Sequence, residues 1–427
     1  MPKESTTKQP ERPKLLEIMG PGLITGASDD DPSGIATYSQ VGAQFGYGLG
    51  WTLVFSYPLM AAIQEISARI GRVTGRGIAG NLRQYYPVWL LRGIVALLLL
   101  ANVINIGADL GAMGAALKLL IGGPSFLYVV AFAAVSIGLE VFVRYSRYVS
   151  VLKYLTLSLL AYVATVFAVG TPWLEVLRSI VLPPLSFDKG YILAVVAVLG
   201  TTISPYLFFW QAEEEVEEEQ EKPEKSPLKE APSQAPAEFE RIRIDTYVGM
   251  ALSNLVALFI VITTAATLHA HGQTDIETSQ QAAEALRPIA GPFAFAIFAL
   301  GIIGTGLLAL PVLAGSAAYA LGEAMRWPVG LAQKSGRARG FYGTIAAATV
   351  IGALLNFTPL DPIKALFWSA VINGIVAVPV MIAMMVMTQR KDIMGAFTIP
   401  SVLRILGWIA AAVMALTVVA LGVAAVV

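Results

Sequence analysis

Apolar stretches of roughly 18 to 25 residues, the length that crosses a hydrocarbon core about 30 Å thick, recur about eleven times along the chain. They lie near residues 15–45, 47–70, 88–120, 124–143, 147–170, 187–212, 245–270, 291–324, 340–357, 363–388 and 402–427. A backbone in lipid must satisfy its own polar groups, so only helices and closed barrels span it, and stretches of this length mean helices. Composition agrees: 56% of the 427 residues are hydrophobic and 14% charged. The expected fold is therefore an all-α polytopic membrane protein of about eleven transmembrane helices.

Charge and cysteine content exclude other classes. Twenty-nine basic residues cancel 29 acidic ones, leaving no basic surface for nucleic acid, and the absence of cysteine removes disulfides, thiolate metal sites and thiol chemistry. The opening "MPKESTTKQPERPK" lacks a signal-peptide pattern and reads as a cytoplasmic tail, residues 1–14. Basic residues mark one side of the membrane: Lys3, Lys8, Arg12 and Lys14; Arg69, Arg72, Arg76 and Arg83; Arg144 and Arg147; Arg326, Lys334, Arg337 and Arg339; Arg390 and Lys391. The excess of Lys and Arg on cytoplasmic loops then places the amino terminus inside a cell membrane and the carboxyl terminus outside. Residues 213–243, rich in Glu, Lys and Pro, read as a solvated cytoplasmic linker whose composition cannot bury a core. A lesser reading has Glu213 to Glu219 focusing cations at a vestibule.

Two stretches break the apolar pattern in the same way. "GLITGASDDDPSGIATYSQ" (22–40) carries Asp29, Asp30, Asp31, Pro32, Ser33 and Gly34 within a span. Asp is a preferred N-cap and proline fits the first helical position, so Asp31-Pro32 reads as a break and restart. "AVLGTTISPYLFFWQ" repeats the grammar, with Thr201, Thr202 and Ser204 before Pro205 and Ser204 as the corresponding N-cap. Each break opens a five-span half, 15–170 and 187–388, with 402–427 an additional helix. Discontinuous helices in matching positions of two halves mark an inverted-repeat transporter whose substrate binds where the breaks meet. A buried carboxylate without a partner costs several kcal/mol in a membrane. No Lys or Arg of any span lies at that depth, so a cation is expected to supply the charge at Asp31, with carbonyls near Ser28 and Thr201 adding hard oxygens.

"DPSGIATYSQVGAQFGYGLGW" (31–51) resembles the signature of the NRAMP divalent-metal transporters, in which Asp-Pro-Gly-Asn precedes a Gly-Ala-Gln-Phe-Gly-Tyr run. "QEISARIGRVTGRGIAGNLR" (64–83) is similar to the family's next segment. The resemblance implies a LeuT-like 5+5 inverted repeat with discontinuous helices 1 and 6, and it places the metal-binding Asp on Asp31. The sequence also departs from the family. Its Asn falls on Gly34, its Met-Pro-His on Ser204-Pro205-Tyr206, its metal-contacting Ala carbonyl on Thr201, and a proton-accepting His on Gln211. Of the proton-path acids in the third span, one is kept as Asp109 while two Glu positions hold Asn102 and Ala112. Loss of the thioether removes preference for soft ions, and loss of the Asn side chain at Gly34 is expected to widen the site, which suits a partly hydrated Mg²⁺. Loss of His and two Glu leaves a proton relay little to run on.

The resemblance thus points to the NRAMP-related magnesium transporter branch, taking up Mg²⁺ by alternating access without proton coupling. A proton-coupled Mn²⁺/Fe²⁺ importer is the alternative, and a sodium-coupled amino-acid symporter on the same scaffold is further off because Asp31 would repel a substrate carboxylate. Asp31, Thr201, Ser204 and Asn373 are the expected metal residues. Asp29, Asp30, Gly34, Tyr206, Gln211, Asn102, Asn105 and Asp109 are cavity or pathway candidates. Asn102, Asn105 and Asp109 form one polar stripe at helical spacing, which could equally glue the bundle. Glu65 with Arg69, and Glu140 with Arg144, read as local ion pairs. Met381, Met384, Met385 and Met387 read as packing, and His269 and His271 as a poor metal pair. An enzyme, a resident cofactor and a protein partner are not expected; the partners are the transported ion and the bilayer.

Overall fold

The structure, a computed structural model, describes residues 21–143, 156–222, 224–334, 336–358 and 361–426. The tail bases Lys3, Lys8, Arg12 and Lys14, the loop pair Arg144 and Arg147, and the starts of the first and fifth expected spans lie outside the described residues.

Each expected span falls on a helix or a broken helix. The first is α1 (Pro21–Asp29) and α2 (Pro32–Phe45), and α3 (Gly50–Thr74) returns. A short α4 (Ile78–Tyr85) leads to α5 (Val88–Ile121) and α6 (Ser125–Phe142); α7 (Leu160–Ala168) and α8 (Trp173–Val181) close the first half. The second half runs α9 (Lys189–Thr202), α10 (Pro205–Glu221), α11 (Ala235–Thr267), a short α12 (Ser279–Glu284), α13 (Ala294–Met325), α14 (Arg339–Leu355) and α15 (Pro362–Met387), with α16 (Ser401–Val426) added. Among the described residues seven helices are long and apolar enough on their own to cross a membrane, or eight if the pair α7–α8, bent by 109°, is one span. The break leaves α1 and α2 as two short pieces, and Glu65, Arg69 and Arg72 dilute the apolar run of α3. The turn into α8 was not anticipated.

Close approach of helix backbones fixes the frame around the breaks. A side chain at Gly200 would stand 2.0 Å from the Ala370 carbonyl, so α9 packs backbone to backbone on α15 only because that residue is glycine. The Met381, Met384, Met385 and Met387 side chains are fully buried, in keeping with core packing.

The solvated-linker reading of 213–243 is corrected. Residues 213–221 continue α10, and α11 begins at Ala235, well before its apolar stretch. Glu213, Glu215 and Glu219 are buried. The charges of Glu215 and Glu219 find partners from distant segments. Arg72, 1% exposed, donates to Glu219 Oε2 (3.0 Å), Glu238 Oε2 (3.2 Å), the Ser226 carbonyl (2.6 Å) and Gln234 Oε1 (2.8 Å). Arg241 pairs with Glu215, Glu218 and Glu238, and Lys225 with Glu218 and Glu238. The acidic run is thus a folded ion-pair layer rather than a free cation-focusing surface.

Candidate metal-binding site

Asp31 caps α2 as the sequence predicts. Its backbone is extended (φ −70°, ψ 170°) and its Oδ1 accepts the Gly34 N–H at 2.7 Å, while its carbonyl accepts Ile35 N–H at 3.0 Å. Oδ2 faces the other way. It accepts the Asn105 amide of α5 at 2.9 Å and, at a long 3.5 Å, the Tyr206 hydroxyl of α10. Tyr206 also donates to the Ser28 carbonyl at the end of α1 (3.4 Å), so the first residues of one break touch the second. Asp31 is 2% exposed. Among the described residues its donors are uncharged, and every ion pair lies elsewhere.

Ser204 differs from expectation. Its backbone occupies the N-cap position of α10 (φ −84°, ψ 130°), but its hydroxyl makes no cap bond and turns back to the Gly200 and Thr201 carbonyls at 2.8 and 2.9 Å. The physical reason is the shortage of donors at the end of α9, where terminal carbonyls lack intrahelical partners. Gly34 also departs from its expected role. The point where its Cβ would sit is 3.1 Å from Thr201 Oγ1 and 3.3 Å from the Tyr38 ring, so the missing side chain brings the breaks into contact rather than leaving a wide space.

The remaining candidates divide by partner. Ser253 of α11 donates to Asp29 Oδ2 (2.7 Å) and Asp30 Oδ1 (3.2 Å), and Asp29 Oδ1 finds no donor. Gln211 joins two elements: its Oε1 accepts Thr25 Oγ at 2.6 Å and its Nε2 reaches Glu215 at 3.4 Å. The stripe on α5 is fully buried, as expected, but its members do different things. Asn102 donates to the Leu313 carbonyl and Ser316 Oγ, both at 2.8 Å, and so binds α13. Asn105 holds Asp31. Asp109 has no side-chain donor, faces the Ser33 backbone N–H and lies in electrostatic range of Asp31. Asn373 is 2% exposed with its carbonyl oxygen unpaired, one turn beyond Ser369 on α15.

Sequence reasoning missed three residues at this junction. Ser33 Oγ donates to the Leu366 carbonyl (3.0 Å) and lies 3.0 Å from Ser369 Oγ, linking α2 to α15. Tyr38 is fully buried, its hydroxyl beside the Thr201 side chain and near Asp29 and Asp30. Ser33 carried a signal, being beside Pro32; Ser369 and Tyr38 carried none that stands out in an apolar helix. Away from the site, Glu65 pairs with Arg69 at 2.7 Å, and Glu140 accepts Ser136 at 2.8 Å, its expected partner Arg144 lying outside the described residues. His269 and His271 turn Nδ1 to the Ala43 and Thr267 carbonyls, at 2.8 and 2.5 Å. Among the described residues no three His, Cys, Asp or Glu side chains form a metal cluster.

Two broken helices meeting at a buried carboxylate, inside a helical bundle of two matching halves, define a membrane transporter of the LeuT fold. Solved structures agree. A manganese transporter of Eremococcus coleocola superposes with TM-score 0.73 at 17% identity, over 97% of this chain and 88% of that one. MhsT, solved with L-phenylalanine, gives 0.65 at 12% identity, over 95% and 98%. The family model described as natural resistance-associated macrophage protein-like matches residues 22–424, and the chain belongs to this Nramp family. It is similar to proteins named divalent metal cation transporter MntH. The match is 25% identical in Klebsiella pneumoniae (96% of this chain, 94% of that protein) and 26% in Yersinia pestis (94% and 93%). The chain is accordingly a multi-pass membrane transporter and not an enzyme.

Proposed function

We propose that the chain moves divalent metal cations across a cell membrane by alternating access, with Mg²⁺ as its physiological substrate and no coupled proton. The observation that carries the site is Asp31. It is a buried carboxylate at the junction of four half-helices, hydrogen-bonded by uncharged groups and offered no basic partner among the described residues. Thr201, Ser204 and Asn373 supply further oxygens, directly or through water. The donor set is hard and lacks a thioether, and a cation that keeps several waters fits a site with one strong ligand. The clustering of Lys and Arg at one end of the bundle supports an amino terminus in the cytoplasm and a carboxyl terminus outside.

The tests are uptake assays in proteoliposomes. Asp31→Ala should abolish Mg²⁺ and Mn²⁺ uptake; retained uptake would put the site elsewhere. Mg²⁺ should compete with Mn²⁺ at similar concentrations, with no acidification of the vesicle interior during transport.

A proton-coupled Mn²⁺ importer is the second reading. The names of the relatives favour it, and Asp109 is a buried acid near Asp31 with no side-chain donor, available to carry a proton. Strong preference for Mn²⁺ with acidification would establish that reading in place of ours.

A further inference from the structure

Helices α5 and α14 touch deep in the bundle and part toward its arginine end. Where they touch, a Cβ at Gly107 would stand 2.7 Å from the Gly352 carbonyl oxygen and one at Gly352 3.0 Å from the Gly107 nitrogen, so two glycines set the crossing. Nearer the start of α14, a Cβ at Gly343 would meet nothing within 4 Å. The space so opened is a groove of about 490 Å³, walled by Leu99 and Val103 of α5 and by Gly343 and Ala347 of α14, with Leu321 of α13 and Trp327 completing it. Its lining is almost wholly apolar. The hydroxyl on its wall, Thr344, is spent on the Gly340 carbonyl at 2.8 Å.

Depth and surroundings suit an acyl chain. The α14 wall, Gly340 to Ile351, rises about 16 Å, half of a hydrocarbon core about 30 Å thick, so the groove is as deep as one leaflet. Leu100 and Val350, next to its walls in sequence, are exposed, so its mouth lies on the lipid-facing surface. The rim supplies charge. Arg92 stands two turns before Leu99 on the same stripe of α5, Arg339 one turn before Gly343 on α14, and Arg326 directly before Trp327. All three are exposed, and among the described residues none of them is in an ion pair. Residues 324–360 carry Arg326, Lys334, Arg337 and Arg339 and no acid. Exposed Trp89 and Trp327 mark this rim as headgroup level, where such rings collect.

We infer that the groove between α5 and α14 binds an anionic phospholipid of the leaflet at the arginine end, one acyl chain lying along Gly343 and Ala347 and the phosphate among Arg92, Arg326 and Arg339. Basic pockets between membrane helices recognise such headgroups. The bound chain fills the wedge and braces α5, the helix whose Asn105 holds Asp31. The site stands whichever ion is carried.

Native mass spectrometry of the purified full-length chain tests this, after incubation in detergent with phosphatidylglycerol or phosphatidylcholine carrying identical oleoyl chains. Wild type should retain one phosphatidylglycerol per chain in preference to phosphatidylcholine. Arg92→Gln with Arg339→Gln should remove that preference, lowering phosphatidylglycerol retention roughly fivefold for each arginine lost. Gly343→Leu, which fills the groove and leaves the rim intact, should lower retention of both lipids. Glycerol phosphate at the same concentration should compete with neither, which separates a lipid site from a phosphate site. Equal retention of the two lipids by wild type would overturn the inference, as would a preference that survives the paired glutamines. A lipid-free dimer that Gly343→Leu disperses would give this face to a second copy of the chain and overturn it too. Each variant should keep the wild-type thermal midpoint without added lipid, since the altered positions are exposed. If Gly343→Leu does not fold, the paired glutamines decide the matter alone.

Discussion

Asp31 divides its two oxygens between two tasks. Oδ1 closes the start of α2 through Gly34, which leaves Oδ2 as the oxygen facing α5 and α10. Asn105 orients that oxygen without contributing charge, the role that partners of ligating carboxylates usually play. Asn105→Leu should therefore raise the KM for divalent uptake by about tenfold while leaving the maximal rate within a few-fold. An unchanged KM, measured at fixed expression, would make the amide a packing group. The first break was legible because Asp31, Pro32 and the cap bond lie within four residues. Ser204 was less so, since the same local grammar permits the hydroxyl to serve the new helix or the old one. Only the packing of α9 decides for the Gly200 and Thr201 carbonyls. Gly34 misled for a related reason: a missing side chain reads as space until its neighbour, Thr201, is known.

At the scale of elements, α10 shows where composition fails. Seven glutamates in nine residues, 213–221, read as solvent-exposed because sequence counts charges but not their partners. Arg72 lies 147 residues from Glu219, and nothing local ties the two together. Arg72 meets four acceptors in one fork, a geometry that suits guanidinium and that lysine cannot match. Removing it leaves Glu219 and Glu238 short of a counter-charge. Arg72→Ala should cost about 3–5 kcal/mol, the usual penalty for breaking a buried pair. Arg72→Lys should recover only part of that. The readouts are the thermal midpoint and the monodisperse yield in detergent, and an unshifted midpoint in the alanine variant would mean the layer is dispensable.

For the whole molecule, the recurring apolar spans and the matching breaks were visible because period and length are properties of a chain in lipid. Where the halves touch was not, since small polar residues on opposite halves carry no mutual signal. Ser33 and Ser369 form one such contact, 3.0 Å apart on α2 and α15. A turn outward, Ala36, Ala112, Ile363 and Leu366 line a space of about 10 Å³, room for at most one water, so this side of Asp31 is shut. Under the proposed alternating access, α2 and α15 part here and the ion enters from the end opposite the arginines. Serine hydroxyls this close stand where two thiols can reach each other, and the native chain has no cysteine to interfere. Ser33→Cys with Ser369→Cys should therefore cross-link under mild oxidation and lose nearly all uptake, and reductant should restore it. Each single variant should transport under both conditions, which separates locking from misfolding. Full uptake with the cross-link complete by mass spectrometry would show that the halves do not separate along α2 and α15, and the entry path would have to be sought beside Asp29 and Ser253.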